Sequence, residues 1–151
     1  GVPRQFPGKQ KVERLVGASR EMVGEQEKAP GGAAAFVYRV STAEEWEELQ
    51  KRGATLGGDL DRRTGCIHLS QLHQVKMVLQ NFYKGREDLY LLQVDTGKLG
   101  DGLVYEAVDE SNFFPHFYGP SRSFSPLLLD VVTTTEKLVL VNGEFTCGLL
   151  N

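Results

Sequence analysis

Apolar and polar positions change period several times along the chain, and each change marks an element boundary. From Phe36 to Val40 the residues are β-favouring and alternate, with Phe36, Tyr38 and Val40 on one side and Val37, Arg39 and Ser41 on the other. Ser41-Thr42-Ala43-Glu44 reads as a capping box. It predicts a helix through Trp46 and Leu49 that stops at Gly53, a left-handed C′ residue. Gly57 to Asp61 has loop chemistry, and Cys66 to Leu69 reads as a short strand. Ser70 can cap a second helix, with Leu72, Val75, Leu79 and Phe82 on one stripe and its end at Gly85.

Leu89 to Val94 and Val104 to Ala107 read as strands, and Asn112 to Pro126 as an aromatic, proline-broken structured loop. Leu127 to Thr133 predicts a late strand, with one more over Lys137 to Val141. Strand, helix, strand, helix and then several strands argue for an α+β fold rather than a doubly wound parallel sheet. Residues 1–35 stand apart, because prolines and glycines bracket a broken apolar stripe, Val12 to Val23. They read as a flexible arm, 36–141 as a single domain, and 142–151 as a C-terminal tail.

Composition narrows the function classes. With 40% hydrophobic and 25% charged residues, the chain of 151 residues can enclose one ordinary core. A net charge of −3 makes no electrostatic case for bulk nucleic acid or an anionic membrane. No apolar run approaches the roughly 20 residues that span a bilayer. Cys66 and Cys147 form no zinc or redox spacing, so they read as thiols of an intracellular compartment, the cytoplasm or an organelle. The basic bias of the first twenty residues fits a trace of a transit segment.

Polar residues gather in two places. Alternation sets Cys66, His68 and Ser70 opposite Ile67 and Leu69, so His68 faces whatever that side lines. Phe114-Pro115-His116-Phe117-Tyr118-Gly119-Pro120 suits a pocket wall that stacks on a flat ligand. Glu106 is an acid among β-favouring residues and a candidate general base. Arg39 offers a planar fork for phosphate. Each has a plain structural alternative: a histidine bonded to a backbone carbonyl, a loop of packed aromatics, or a surface charge. Cys66, His68, His73 and His116 show no tight ligand spacing, and no metal is expected. Phosphate-loop, dinucleotide-fingerprint and nucleophile-elbow motifs are absent.

Tyr38-Arg39-Val40 with Trp46, Gly65 to Ser70, Asp88 to Asp95, and Phe114 to Pro120 resemble, in order, the blocks of domain of unknown function 952. The C-terminal extension resembles the family's plant members. The resemblance implies an ADP-ribosyltransferase-like fold, similar to the RNA 2′-phosphotransferases, with split β-sheets and two short helices around a cleft that holds NAD⁺ in relatives. By position it implies Arg39 at the nucleotide, His68 with Ser70 at the nicotinamide ribose, and Glu106 as the glutamate of many transferases; in an NAD⁺-handling enzyme Glu106 would then help polarise a ribose hydroxyl while the His116/Tyr118 loop closes over the base. The His-Gly-Thr signature of the phosphotransferases is absent at Tyr38 to Ser41, which argues against transfer of an RNA 2′-phosphate.

Three functions follow from this reading. One is a transferase using NAD⁺ as substrate, with His68, Glu106 and His116 catalytic and Arg39, Ser41, Ser70 and Tyr118 binding substrate. The second is a nucleotide-binding module without turnover. The third is a protein-interaction domain that docks a partner through the arm.

Overall fold

The computed structural model describes residues 35–151, so the expected N-terminal arm lies outside the described residues apart from its last position. Strand β1 (Phe36–Thr42) leads into helix α1 (Ala43–Arg52). The N-cap is Thr42, one residue later than the sequence pattern predicts, and its hydroxyl accepts the Glu45 N–H at 3.0 Å. The register moves because Glu45 sends its carboxylate to Arg39, so Ser41 stays in the strand and is fully buried. The helix ends as predicted at Gly53, whose φ of 78° suits a residue without a Cβ.

After β2 (Ala54–Thr55) comes helix α2 (Asp59–Thr64), where a loop is expected from sequence. Gly58 is its N-cap, and the Asp61 carboxylate reaches back to the Gly58 N–H at 2.8 Å. Strand β3 (Ile67–His68) and helix α3 (Leu72–Phe82) follow. Gln71, not Ser70, precedes α3, and its N–H is held by the Gln74 side chain at 2.9 Å. Ser70 instead makes reciprocal backbone bonds with Tyr38, each 2.8 Å. Val75 and Leu79 are fully buried on α3, while Leu72 is 45% exposed and falls off the apolar stripe.

The remaining elements are β4 (Leu89–Asp95), α4 (Thr96–Leu99), β5 (Leu103–Ala107), β6 (Phe113–Phe117), β7 (Leu127–Leu128), β8 (Val132–Lys137), β9 (Val139–Val141) and β10 (Glu144–Thr146). Three-residue 3₁₀ turns occupy 120–122, 129–131 and 148–150. The single late strand expected over 127–133 is therefore split, with a turn between β7 and β8.

The result is a mixed α+β fold built on antiparallel pairings. One sheet has the order β1-β4-β8 and another the order β3-β6-β5. An isolated bridge between Tyr38 and Ser70 links β1 to the segment that follows β3. Two separate pairs, β2 with β7 and β9 with β10, complete the pairing.

Both faces of β1 are covered. Val37 packs with Ile67, Leu69, Val94, Phe117 and Leu127, and Tyr38 and Val40 pack with Val75, Leu79, Leu89, Leu91 and Phe145. Each fully buried Leu or Val side chain contributes about 1.5–3 kcal/mol. Because neither face meets water, Arg39 is buried at 7% exposure and must find its counter-charges inside. The packed body also runs past residue 141. Asn142 and Gly143, both at positive φ, turn β9 into β10, and Phe145 enters the second core at 4% exposure. Among the described residues no helix is long and apolar enough to cross a membrane.

Candidate functional site

The site is organised by three charged residues. Arg39 donates from Nε and Nη2 to Glu45 at 2.9 and 2.7 Å. From Nη1 and Nη2 it donates to Asp61 at 3.1 and 2.9 Å, and from Nη1 also to the His68 carbonyl at 3.0 Å. Every guanidinium N–H thus has an acceptor. This corrects the phosphate role expected for Arg39: the side chain ties β1 to α1, α2 and β3. Burial works against the charge, but the two carboxylates outweigh it and raise the Arg39 pKa well above its usual value.

Asp61 is 4% exposed and carries the chemistry outward to His68. Its Oδ1 accepts the His68 backbone N–H at 2.9 Å and lies 2.8 Å from the ring Nδ1. Burial opposes ionisation, yet Arg39 and His68 hold its carboxyl far below the ordinary carboxylate range. For His68, burial is the largest effect and pulls the pKa down to about 4, aided by His116 and Arg39 and opposed by Asp61. The imidazole is therefore neutral at physiological pH, with Nδ1–H donated to Asp61 and Nε2 left unprotonated as an acceptor. Nε2 lies 3.4 Å from the Thr64 hydroxyl and 3.9 Å from Cys66 Sγ.

A second polar group sits behind His68. β6 is the central strand of its sheet, where it pairs His116 with His68 on one side and with Val104 on the other. Glu106 is diagonal to His116 on the same face. Its Oε1 lies 2.5 Å from His116 Nδ1 and accepts the Tyr118 hydroxyl at 2.7 Å. Arg122 stacks over the Tyr118 ring at 4.2 Å and brings Nη2 to 3.6 Å from Glu106 Oε2. Burial is the largest effect and pushes the Glu106 carboxyl up, but His116, Tyr118 and Arg122 together outweigh it and the net shift is downward. Burial and the bond to Glu106 raise the Tyr118 phenol. The His68 and His116 rings meet edge-on, with centroids 5.0 Å apart.

Between the sheets and helices lies a cleft of about 1110 Å³, slightly above the roughly 300–1,000 Å³ usual for small-molecule sites. Arg39, His68 and Ser70 line it, together with Asp61, Arg62 and Tyr83, which the sequence reading did not single out. Ser41, Glu106, His116 and Tyr118 do not line it. Ser41 donates its hydroxyl to the Thr42 carbonyl at 2.8 Å. Within the loop expected over Asn112 to Pro126, residues Phe113–Phe117 form a buried strand, so His116 and Tyr118 stand behind the cleft instead of closing over it. Glu106, with no exposure, is a buried acceptor and not a carboxylate facing a ligand. The signal for Asp61 was present, since a glycine before an acid at the third helical position is a helix start.

A family model described as "Protein of unknown function (DUF952)" matches residues 40–135. The chain belongs to that family. Solved structures of protein CC0527 from Caulobacter crescentus are similar to it. For one X-ray structure the TM-score is 0.66 at 30% identity, with 74% of this chain and 93% of that chain covered. For the solution NMR structure the TM-score is 0.61 at 28% identity, with 73% and 90% covered. No curated protein matches the chain.

Proposed function

We propose that this domain binds an NAD⁺- or ADP-ribose-type nucleotide in the cleft and acts on it with His68 as the proton acceptor. The observation that carries the reading is the Asp61–His68 pair: a neutral imidazole, fixed at Nδ1 by a buried carboxylate, on the wall of a ligand-sized cleft. Exposed Arg52, Arg62 and Arg63 on the same wall supply cations for phosphate in place of Arg39. In a ribosyl transfer, an attacking hydroxyl oxygen bonds to C1′ and gives its proton to His68 Nε2. The base leaves with the electron pair of the broken C1′–N bond.

A second reading is binding without turnover. The burial of Glu106 favours it, because no acid expected to polarise the ribose reaches the cleft. The test is calorimetric titration and thermal unfolding with NAD⁺, ADP-ribose and a 2′-phosphorylated nucleotide, together with product analysis. At 100 times its dissociation constant a ligand stabilises the fold by about 2.7 kcal/mol, which raises the midpoint by roughly 5–15 °C. Binding that survives in His68→Gln while product formation stops supports the catalytic reading. Binding with no product from the native chain leaves the module, and no midpoint shift with any of the three sinks both.

A further inference from the structure

Helix α3 and its C-cap residue supply an apolar stretch of the cleft wall. Val75 and Leu79 turn inward to the core, which leaves Met77, Val78, Phe82 and Tyr83 along the cleft. The charged part of the lining comes largely from α1 and α2, and Val40, Leu69 and Phe114 add apolar surface. Tyr83 ends the helix as its C-cap residue, with φ −129° and its N–H on the Leu79 carbonyl at 2.9 Å. Its half-buried ring packs against the second core cluster while also lining the cleft. That packing backs the ring on the core side. Burial pushes the phenol up, opposed by Arg39 and aided by Asp61 and Glu45.

A wall of this kind, a fixed aromatic plane with an exposed methionine at its margin, suits a flat heterocycle. We propose that the end of α3 is the planar-ring subsite of the cleft, and that Tyr83 stacks on the base of the ligand. This rests on the nucleotide reading above and adds to it the position of the base. The polar part of the ligand then lies toward His68 and the arginines, and the ring toward Tyr83.

The experiment compares adenosine 5′-monophosphate with ribose 5-phosphate, which differ by the base, by calorimetry on the native chain, Tyr83→Phe and Tyr83→Leu. Stacking favours the nucleotide by roughly tenfold to a hundredfold. That ratio is expected to persist in Tyr83→Phe and to fall toward one in Tyr83→Leu. NMR on the native chain is expected to give cross-peaks between the Tyr83 ring and adenine protons, a readout independent of how the variants fold. Absent cross-peaks, or a ratio unchanged in Tyr83→Leu, overturn the subsite and leave the nucleotide reading standing. A native chain that binds neither probe overturns both.

Discussion

Asp61 Oδ1 grips His68 twice, accepting its backbone N–H at 2.9 Å and standing 2.8 Å from its ring Nδ1. The same carboxylate accepts two bonds from Arg39, so the orientation of His68 is set by the core and not by the cleft. Asp61→Asn keeps the shape but removes the charge and turns a donor toward the partners' own donors. It is expected to lower stability by about 3–5 kcal/mol, the usual cost of breaking a buried ion pair, measured by urea unfolding. An Asn variant as stable as the native chain would contradict the account of this cluster.

The depressed pKa of His68 gives a pH signature. The folded state resists protonation down to about pH 4, whereas an unfolded histidine protonates near 6.5. The native state therefore has its full advantage above about pH 6.5 and loses it progressively as the pH falls toward 4, by up to about 3 kcal/mol. Asp61, whose folded pKa is also depressed, adds a further loss below the ordinary carboxylate range. His68→Gln should remove the step between about pH 6.5 and 4 and leave the more acidic one. Urea midpoints across pH would show this, and an unchanged profile would exclude a buried neutral His68.

Arg39 separates a structural from a ligand-binding cation. Arg39→Met leaves Glu45 and Asp61 buried without their counter-ion and is expected to cost about 3–5 kcal/mol. Arg62→Ala and Arg63→Ala, on the exposed side of α2, should change stability by less than about 0.5 kcal/mol and weaken nucleotide binding instead. Unfolding and titration on the same three variants separate the two effects.

Tyr118→Phe removes a donor from a carboxylate that no water can reach. The loss is expected to be about 1–3 kcal/mol, with little change in ligand affinity because Tyr118 does not line the cleft. A large loss of affinity at normal stability would move Tyr118 back into the binding site.

Phe145→Ala tests whether the last ten residues belong to the fold. With Phe145 packed among Val75, Leu79, Leu89 and Leu91, truncation should cost about 3–5 kcal/mol. A dispensable tail would give a change within error in thermal unfolding.

Local patterns carried much of the fold. The alternation over Phe36 to Val40, the Gly53 stop and the apolar run at Leu89 correspond to β1, the end of α1 and β4. Asn142-Gly143, at the start of the C-terminal tail, is itself a hairpin signal in the sequence and turns β9 into β10. The segment over 113–117 was not legible as a strand, because Pro115 argues against a central position. Its carbonyl still accepts from Leu69 at 3.0 Å, and the sheet tolerates the missing donor.

For the site, sequence determined which side chains alternate to which face, so His68 could be named from Ile67 and Leu69 alone. It could not say that β1 is covered on both faces, since alternation looks the same with one face wet or both dry. That coverage, a product of long-range packing, makes Arg39 a buried cross-link instead of a phosphate ligand. The antiparallel pairing of β5 with β6 likewise sets Glu106 diagonal to His116, and its bonds to His116 and Tyr118 keep the three behind the cleft. Period and propensity act over a few residues, so sequence by itself settled the elements and their faces. Which charges meet depends on contacts between residues far apart in the chain, and only the tertiary structure decided that.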